Sequence, residues 1–286
     1  MAKRVALAAT PIKHVTVGDI SVGYRVIGPL AAASAGSTET PLLMIIGSSS
    51  TMDIWSPEFI SALAQDRKVI VFDNRGMGET DNPKGAYPLT QLADDTAGLI
   101  TALGYDKLDV LGWSMGGDVA LDLAVRHPAV VDRLVSYAGV PGGALAVQMS
   151  ESVLKVLMDT SGDPQQRGMR LLEMMFPVAY RTAHPDYLRS FPIPRESMEP
   201  AEIGFQNEAV GGWAGVDAGL KDIASPTLFV TGTEDLLAPP QNAVVMADRV
   251  PGSWLMRFAG TGHGLMYQEP QNLADSLLLF LKVTGP

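Results

Sequence analysis

The run Leu108-Asp109-Val110-Leu111-Gly112-Trp113-Ser114-Met115-Gly116-Gly117-Asp118-Val119-Ala120-Leu121 constrains this chain more than any other segment. An apolar, strand-like stretch meets a helical pattern through a serine flanked by glycines. A serine so placed is held on a strained turn with its hydroxyl exposed above the strand ends. Gly112 and Gly116 fit that reading, because a Cβ at either position would collide with the tight turn or the neighbouring helix. The bare Gly-x-Ser-x-Gly pattern is weak. The strand leading in and the helix leading out supply the context it requires.

A serine hydroxyl is a poor nucleophile until a base takes its proton and a third group orients that base. The chain contains only 4 histidines, so the search is short. His14 lies in an alternating strand, His127 ends the helix after the serine as a cap, and His184 precedes Pro185 in an irregular stretch. His263 differs: Gly260-Thr261-Gly262-His263-Gly264 is a polar loop after a strand and before the last helix, where a base is expected. The alternative for it is a structural loop histidine.

The acid follows the same logic. Pro226-Thr227-Leu228-Phe229-Val230-Thr231-Gly232 reads as a buried strand, Thr233-Glu234-Asp235 opens the loop after it, and Pro239-Pro240 starts a helix. A carboxylate just past a parallel strand can hold the second nitrogen of an imidazole. Asp235 is expected in that role, with Glu234 as the local competitor or a solvated loop charge.

The chain order Ser114, Asp235, His263 and several further segments give the chain its likeness. It resembles the α/β-hydrolases of the esterase, lipase and peroxidase-like branch over nearly its whole length. Val71-Phe72-Asp73-Asn74-Arg75-Gly76-Met77-Gly78, the acid loop Gly232 to Pro239 and the base loop Gly262-His263 all carry it. Asp73 and Arg75 are expected to stabilise their turn by hydrogen bonds. The resemblance implies an oxyanion hole built from the backbone N–H groups of Ser48 and Met115. One segment departs from the family pattern: Leu42-Leu43-Met44-Ile45-Ile46-Gly47-Ser48 has Ile46 where a histidine is common. The Ser48-Ser49-Ser50 run offers a possible third donor, or is simply a polar loop.

Composition agrees with one large core: 286 residues, 47% hydrophobic and 18% charged. A net charge of −10 argues against nucleic acid and anionic membrane surfaces as partners. The absence of cysteine removes disulfides and thiolate chemistry. No apolar run reaches the roughly 18 residues needed for membrane insertion as a spanning helix. The opening Met1 to Thr10 has too short an apolar part for a signal sequence and reads as a mature N-terminus. The expectation is a cytoplasmic enzyme with no metal and no organic cofactor, while its oligomeric state is unknown.

Alternation around Gly18-Asp19 suggests an opening hairpin of His14–Val17 and Ile20–Ile27. Strands are expected at 42–46, 68–72, 108–111, 134–137, 227–231 and 254–258, with helices between them, including 55–65 and 89–103. The second of these carries Asp94 and Asp95 on its exposed side, and Pro29 to Pro41 reads as a surface loop. The fold class is α/β: a mostly parallel eight-stranded sheet flanked by helices, with residues 1–140 and 216–286 as the core. Residues 141–215 break the alternation with helical patches at 153–158 and 169–176, where the family inserts a helical cap. Met149, Met158, Met169, Met174, Met175 and Met198 fall there and suit an adaptable apolar wall or a small lid core. Gly47, Trp113, Met174, Trp213, Leu237 and Leu265 are the expected substrate-binding residues of a mostly apolar pocket.

These readings point to a serine esterase acting on a small-molecule ester through an acyl-enzyme. The alternatives are a cofactor-free perhydrolase, a lyase or carbon–carbon bond hydrolase on the same fold, and a non-catalytic binder. Haloalkane dehalogenase and epoxide hydrolase chemistry would need a carboxylate at position 114.

Overall fold

The computed structural model of the protein describes residues 7–30 and 39–283. The start of the chain and most of the 29–41 loop therefore lie outside the described residues. Lys13–Val17 (β1) and Ile20–Ile27 (β2) fold back across Gly18-Asp19 as an antiparallel hairpin, Val17 opposite Ile20. The apolar runs follow as Leu42–Ile45 (β3), Val69–Phe72 (β4), Leu108–Trp113 (β5), Val131–Tyr137 (β6), Thr227–Gly232 (β7) and Trp254–Phe258 (β8). They join into one 8-stranded sheet ordered β1-β2-β4-β3-β5-β6-β7-β8. Strand β2 runs against both its neighbours, and every other neighbouring pair is parallel. The expected mostly parallel α/β sheet is what forms.

The helices in chain order are Pro57–Leu63 (α1), Leu89–Ala102 (α2), Met115–Arg126 (α3), Glu151–Leu157 (α4), Pro164–Met174 (α5), Val178–Ala183 (α6), Pro200–Gly211 (α7), Gln241–Ala247 (α8), Leu265–Gln268 (α9) and Pro270–Lys282 (α10). Successive strand residues point to opposite faces, so one strand feeds two cores. Leu42 and Met44 pack with Phe59 of α1 and Leu277 of α10, while Leu43 and Ile45 pack with Leu92 of α2 and Val119 of α3. All of β3, β4, β5 and β7 is buried, as a parallel sheet covered on both sides requires.

Two expectations are corrected here. Helix α1 is shorter than 55–65, because Ser56 caps it by accepting from the Phe59 N–H and Trp55 turns into the core instead. Asp95 is not on an exposed face. It is buried against the Arg75 guanidinium, which it holds at 2.7 and 2.8 Å, because a buried cation needs a countercharge.

Between β6 and β7 the chain runs through α4 to α7 with no strand among the described residues. This segment is tied to the sheet side by a reciprocal pair, Val147 N–H to Asn242 Oδ1 at 2.7 Å and Asn242 Nδ2 to the Val147 carbonyl at 2.9 Å. A buried Glu196–Arg25 ion pair at 2.7 Å is the second tie. Strand order reverses between β3 and β5, which neighbour each other although β4 comes between them in sequence. That is the switch point, where the loops after the two strands diverge and leave a crevice. Among the described residues no helix is long and apolar enough to cross a membrane.

Candidate active site

Ser114 sits on that crevice, at the C-terminal end of β5. Its backbone has φ 57° and ψ −128°, a conformation costing about 1–3 kcal/mol that the surroundings must hold in place. They do so closely. A Cβ on Gly112 would overlap the Gly116 carbonyl, and one on Gly116 would overlap the Ile45 carbonyl. Ser114 N–H donates to the Tyr137 carbonyl at 2.9 Å, and its own carbonyl accepts from Gly117 at 2.7 Å, which opens α3.

His263 and Asp235 stand on the loops after β8 and β7, both buried. His263 Nδ1 bonds to Asp235 Oδ2 at 2.9 Å. The other carboxylate oxygen, Oδ1, accepts the Leu237 and Ala238 N–H groups, each at 2.9 Å, so the acid is fixed at both ends. The His263 carbonyl is held too, by Trp113 Nε1 at 3.2 Å and Tyr137 Oη at 2.9 Å. Trp113 precedes Ser114, and its ring lies 5.4 Å from the His263 ring. The imidazole is thereby locked beside the strand that carries the serine. Burial pushes the Tyr137 hydroxyl well above its ordinary range, so it stays a proton donor.

The other histidines are spent elsewhere. His127 caps α3 and pairs with Asp94 at 2.6 Å. His14 faces Glu79 at 3.6 Å, and His184 bonds the Tyr180 carbonyl at 3.0 Å. Glu234 is exposed on a separate groove, and among the described residues the carboxylate bonded to the His263 ring is Asp235.

The loop after β3 lies across from Ser114. Gly47 approaches so closely that a Cβ there would stand 3.2 Å from the Ser114 Cβ. Met115 opens α3, where a backbone N–H has no partner within the helix. Asp73 and Asn74 brace the loop, through Met52 N–H to Asp73 Oδ1 at 2.6 Å and Asn74 Nδ2 to the Ile46 carbonyl at 3.2 Å. Arg75 binds Asp95 and Asp19, so the turn-stabilising roles expected for Asp73 and Arg75 are present. Within the serine run, Ser50 Oγ donates to the Ser48 carbonyl at 3.1 Å and Ser48 Oγ faces Asn207 Oδ1 at 3.5 Å.

A cavity of about 400 Å³ opens over Ser114, with Ser48, Met115, Trp213 and Leu237 on its wall. The structure thus brings five of the expected site residues together. Six others it does not place on that wall, the buried Asp235 and His263 among them. Gly47 packs closely against Ser114 and Trp113, and Trp113 is buried beside the His263 ring. Leu265 is wholly buried in the core, since the short α9 turns its side chain inward. Met174 lies on a separate groove of about 610 Å³ with Val156, Val178, Arg181 and Glu234, because the last turn of α5 sends Met175 inward and Met174 outward. Met149 alone of the six methionines lines the Ser114 cavity, and Met158 is 71% exposed.

Three residues escaped the sequence reading: Tyr137, Asp118 and Gln206. Asp118 lines the cavity one turn beyond Ser114. Gln206, buried on α7, accepts the Ser49 N–H at 2.5 Å. Only the position of Asp118, four residues past the serine, could have flagged it in advance. Among the described residues no group of three or more His, Asp or Glu side chains is placed to hold a metal ion.

A family model described as the alpha/beta hydrolase fold matches residues 40–270. A 2-hydroxymuconate semialdehyde hydrolase from a Pseudomonas species is 30% identical over 259 residues, covering 84% of this chain and 86% of the relative. Among solved structures, an enol-lactonase from Burkholderia xenovorans superposes with a TM-score of 0.79 at 21% identity, covering 95% of this chain and 100% of that one. A thermophilic esterase from Thermogutta terrifontis gives 0.77 at 21% identity, covering 95% and 98%. At that identity the two structures speak for the fold alone.

Proposed function

Since the chain belongs to the α/β-hydrolase family, we propose that it cleaves neutral carboxylic esters of small to medium size through an acyl-enzyme on Ser114. The observation that carries this reading is the doubly anchored Asp235–His263 pair, locked against Trp113 beside a serine on a strained turn. Ser114 Oγ attacks the ester carbonyl carbon while His263 takes the hydroxyl proton. Asp235 holds the imidazole by Nδ1 and stabilises the cation that forms. The Ser48 and Met115 N–H groups bind the oxyanion, and the dipole of α3 favours that charge. His263 then gives its proton to the leaving alcohol, and returns the acyl group to water by activating it. In this reading residues 141–215 act as a cap over the cavity, and Trp213 and Leu237 contact substrate.

The 30% relative favours a second reading, carbon–carbon bond hydrolysis. A muconate semialdehyde carries a carboxylate, however, and the wall of the Ser114 cavity includes no arginine or lysine to receive one. That charge argument ranks the neutral ester first.

The test is turnover of p-nitrophenyl esters from acetate to laurate by the wild type and Ser114→Ala. Serine-dependent turnover, falling by at least about a thousandfold in the variant, is expected. Retained turnover in Ser114→Ala would remove the serine mechanism. A folded wild type inert toward every ester would move the assignment to the carbon–carbon reading.

A further inference from the structure

Of the residues lining the cavity over Ser114, Asp118 alone carries an acidic or basic side chain. The walls around it are apolar, with Ala138, Val140, Val147 and Val210 among them. Asp118 stands one helical turn beyond Ser114, its N–H directed at the Ser114 carbonyl at 3.3 Å, and both residues line the cavity. Its Oδ1 accepts the Val140 N–H at 2.7 Å. Its second oxygen has no hydrogen bond among the described residues. That oxygen is not sealed within the protein but opens onto the cavity, within reach of a bound molecule.

Burial, offset only in part by the Val140 N–H, holds the Asp118 carboxyl well above the usual carboxylate range. No side chain on the facing elements counters this. The 138–149 segment, α7 and the acid loop present only uncharged residues to the cavity, and on its own helix Asp122 is engaged by Trp213 Nε1 at 3.4 Å. A neutral carboxyl is a hydrogen-bond donor as well as an acceptor.

We propose that Asp118 forms a polar subsite in this cavity, donating its carboxyl O–H to a second oxygen (ether, hydroxyl or carbonyl) on the ester seated over Ser114. The subsite rests on the ester reading above. It selects oxygen-bearing neutral esters over their hydrocarbon counterparts and turns away esters with a carboxylate, which would meet an acid and no cation.

Two matched pairs of esters test it: p-nitrophenyl 3-methoxypropanoate against pentanoate, and 2-methoxyethyl acetate against butyl acetate. Each pair exchanges one methylene for oxygen, on the acyl and the alcohol arm respectively. The quantity read is the ratio of kcat/KM within a pair, from which triad titration and folded fraction cancel. Comparing ratios between variants also cancels intrinsic reactivity. In one of the pairs the methoxy preference is expected to fall about tenfold in Asp118→Ala and to survive in Asp118→Asn, whose amide still donates. In the wild type the same preference should decline as pH rises past the elevated pKa of Asp118, and Asp118→Asn should show no such decline. The pH series needs no alanine variant and stands if that variant fails to fold. Equal ratios in wild type and Asp118→Ala for both pairs, a pH-independent wild-type ratio, or preference for a matched ammonium-bearing ester would overturn the subsite. Dissociation constants of the same esters on Ser114→Ala and Ser114→Ala/Asp118→Ala separate the two claims. Discrimination in binding without wild-type turnover would sink the ester reading alone, and turnover without discrimination would sink the subsite alone.

Discussion

Gln206 on α7 accepts the backbone N–H of Ser49 at 2.5 Å, and Ser49 holds a φ of 51°. A side chain from the segment between β6 and β7 therefore braces the left-handed turn next to Ser48, whose N–H is assigned to the oxyanion. Ser49 would otherwise relax toward ordinary backbone, since a left-handed non-glycine residue costs about 1–3 kcal/mol. Gln206→Met, which keeps length and loses the acceptor, is expected to lower kcat about tenfold with little change in KM. Gln206→Glu, which keeps an acceptor oxygen, should recover most of it. Steady-state kinetics on folded protein decide the matter. A lower Tm with unchanged kcat would mean that Gln206 only supports the fold.

Asp235→Asn should leave the loop intact, because its Oδ1 can still accept the Leu237 and Ala238 N–H groups. The atom facing His263 Nδ1 becomes an amide nitrogen, which favours the tautomer whose Nε2 carries the proton and so cannot accept one from Ser114. A fall in kcat of about a thousandfold or more is expected, with Tm nearly unchanged. Glu234→Gln, at an exposed position on the outer groove, should change kcat by less than about twofold. Similar losses in both variants would point to another carboxylate as the partner of His263.

The sheet, the strained Ser114 turn and the Asp235–His263 pair were legible because each rests on local signals. A buried strand ending in a glycine-rich turn announces itself within about ten residues, as at Leu108 to Gly117. What stayed illegible depends on distant chain. Tyr137 reaches the His263 carbonyl across 126 positions, and Gln206 reaches Ser49 across 157. Asp95 looks like a solvated helix charge until Arg75 is found buried beside it. Helical spacing marks an apolar stretch at 169–176 but does not decide which of two adjacent methionines faces in. Tertiary packing sent Met174 out and Met175 in.

That split gives a test of the cavity. Trp213 lies on the wall over Ser114, anchored by its indole N–H to Asp122 at 3.4 Å. Trp213→Ala should enlarge the cavity and move the best acyl chain to longer esters, while Met174→Ala should leave the chain-length optimum where it is. Rate profiles from acetate to laurate read both. A shift of the optimum in Met174→Ala would place the acyl chain in the outer groove instead.

Arg25 on β2 is buried against two carboxylates, Asp53 just after the loop that follows β3 and Glu196 in the segment between β6 and β7. Asp73, wholly buried, lies beside Glu196 near Gly78. Three acids around one guanidinium cannot all ionise cheaply out of water. Burial, then repulsion from Asp73 and Asp53, holds the Glu196 carboxyl above the ordinary glutamate range, and burial raises Asp73 as well. The folded protein thus binds a proton that the unfolded chain releases at lower pH. The stability this proton confers is complete below the ordinary glutamate pKa and is lost as pH rises through the elevated one. Wild-type Tm should therefore drop on going from mildly acid to alkaline solution, by about 2–4 °C for each kcal/mol lost. Glu196→Gln keeps an oxygen for Arg25 and removes the titration, so its Tm should be flatter across that interval and exceed the wild-type value at the alkaline end. Parallel Tm profiles for the two proteins would show that this cluster does not set the pH dependence.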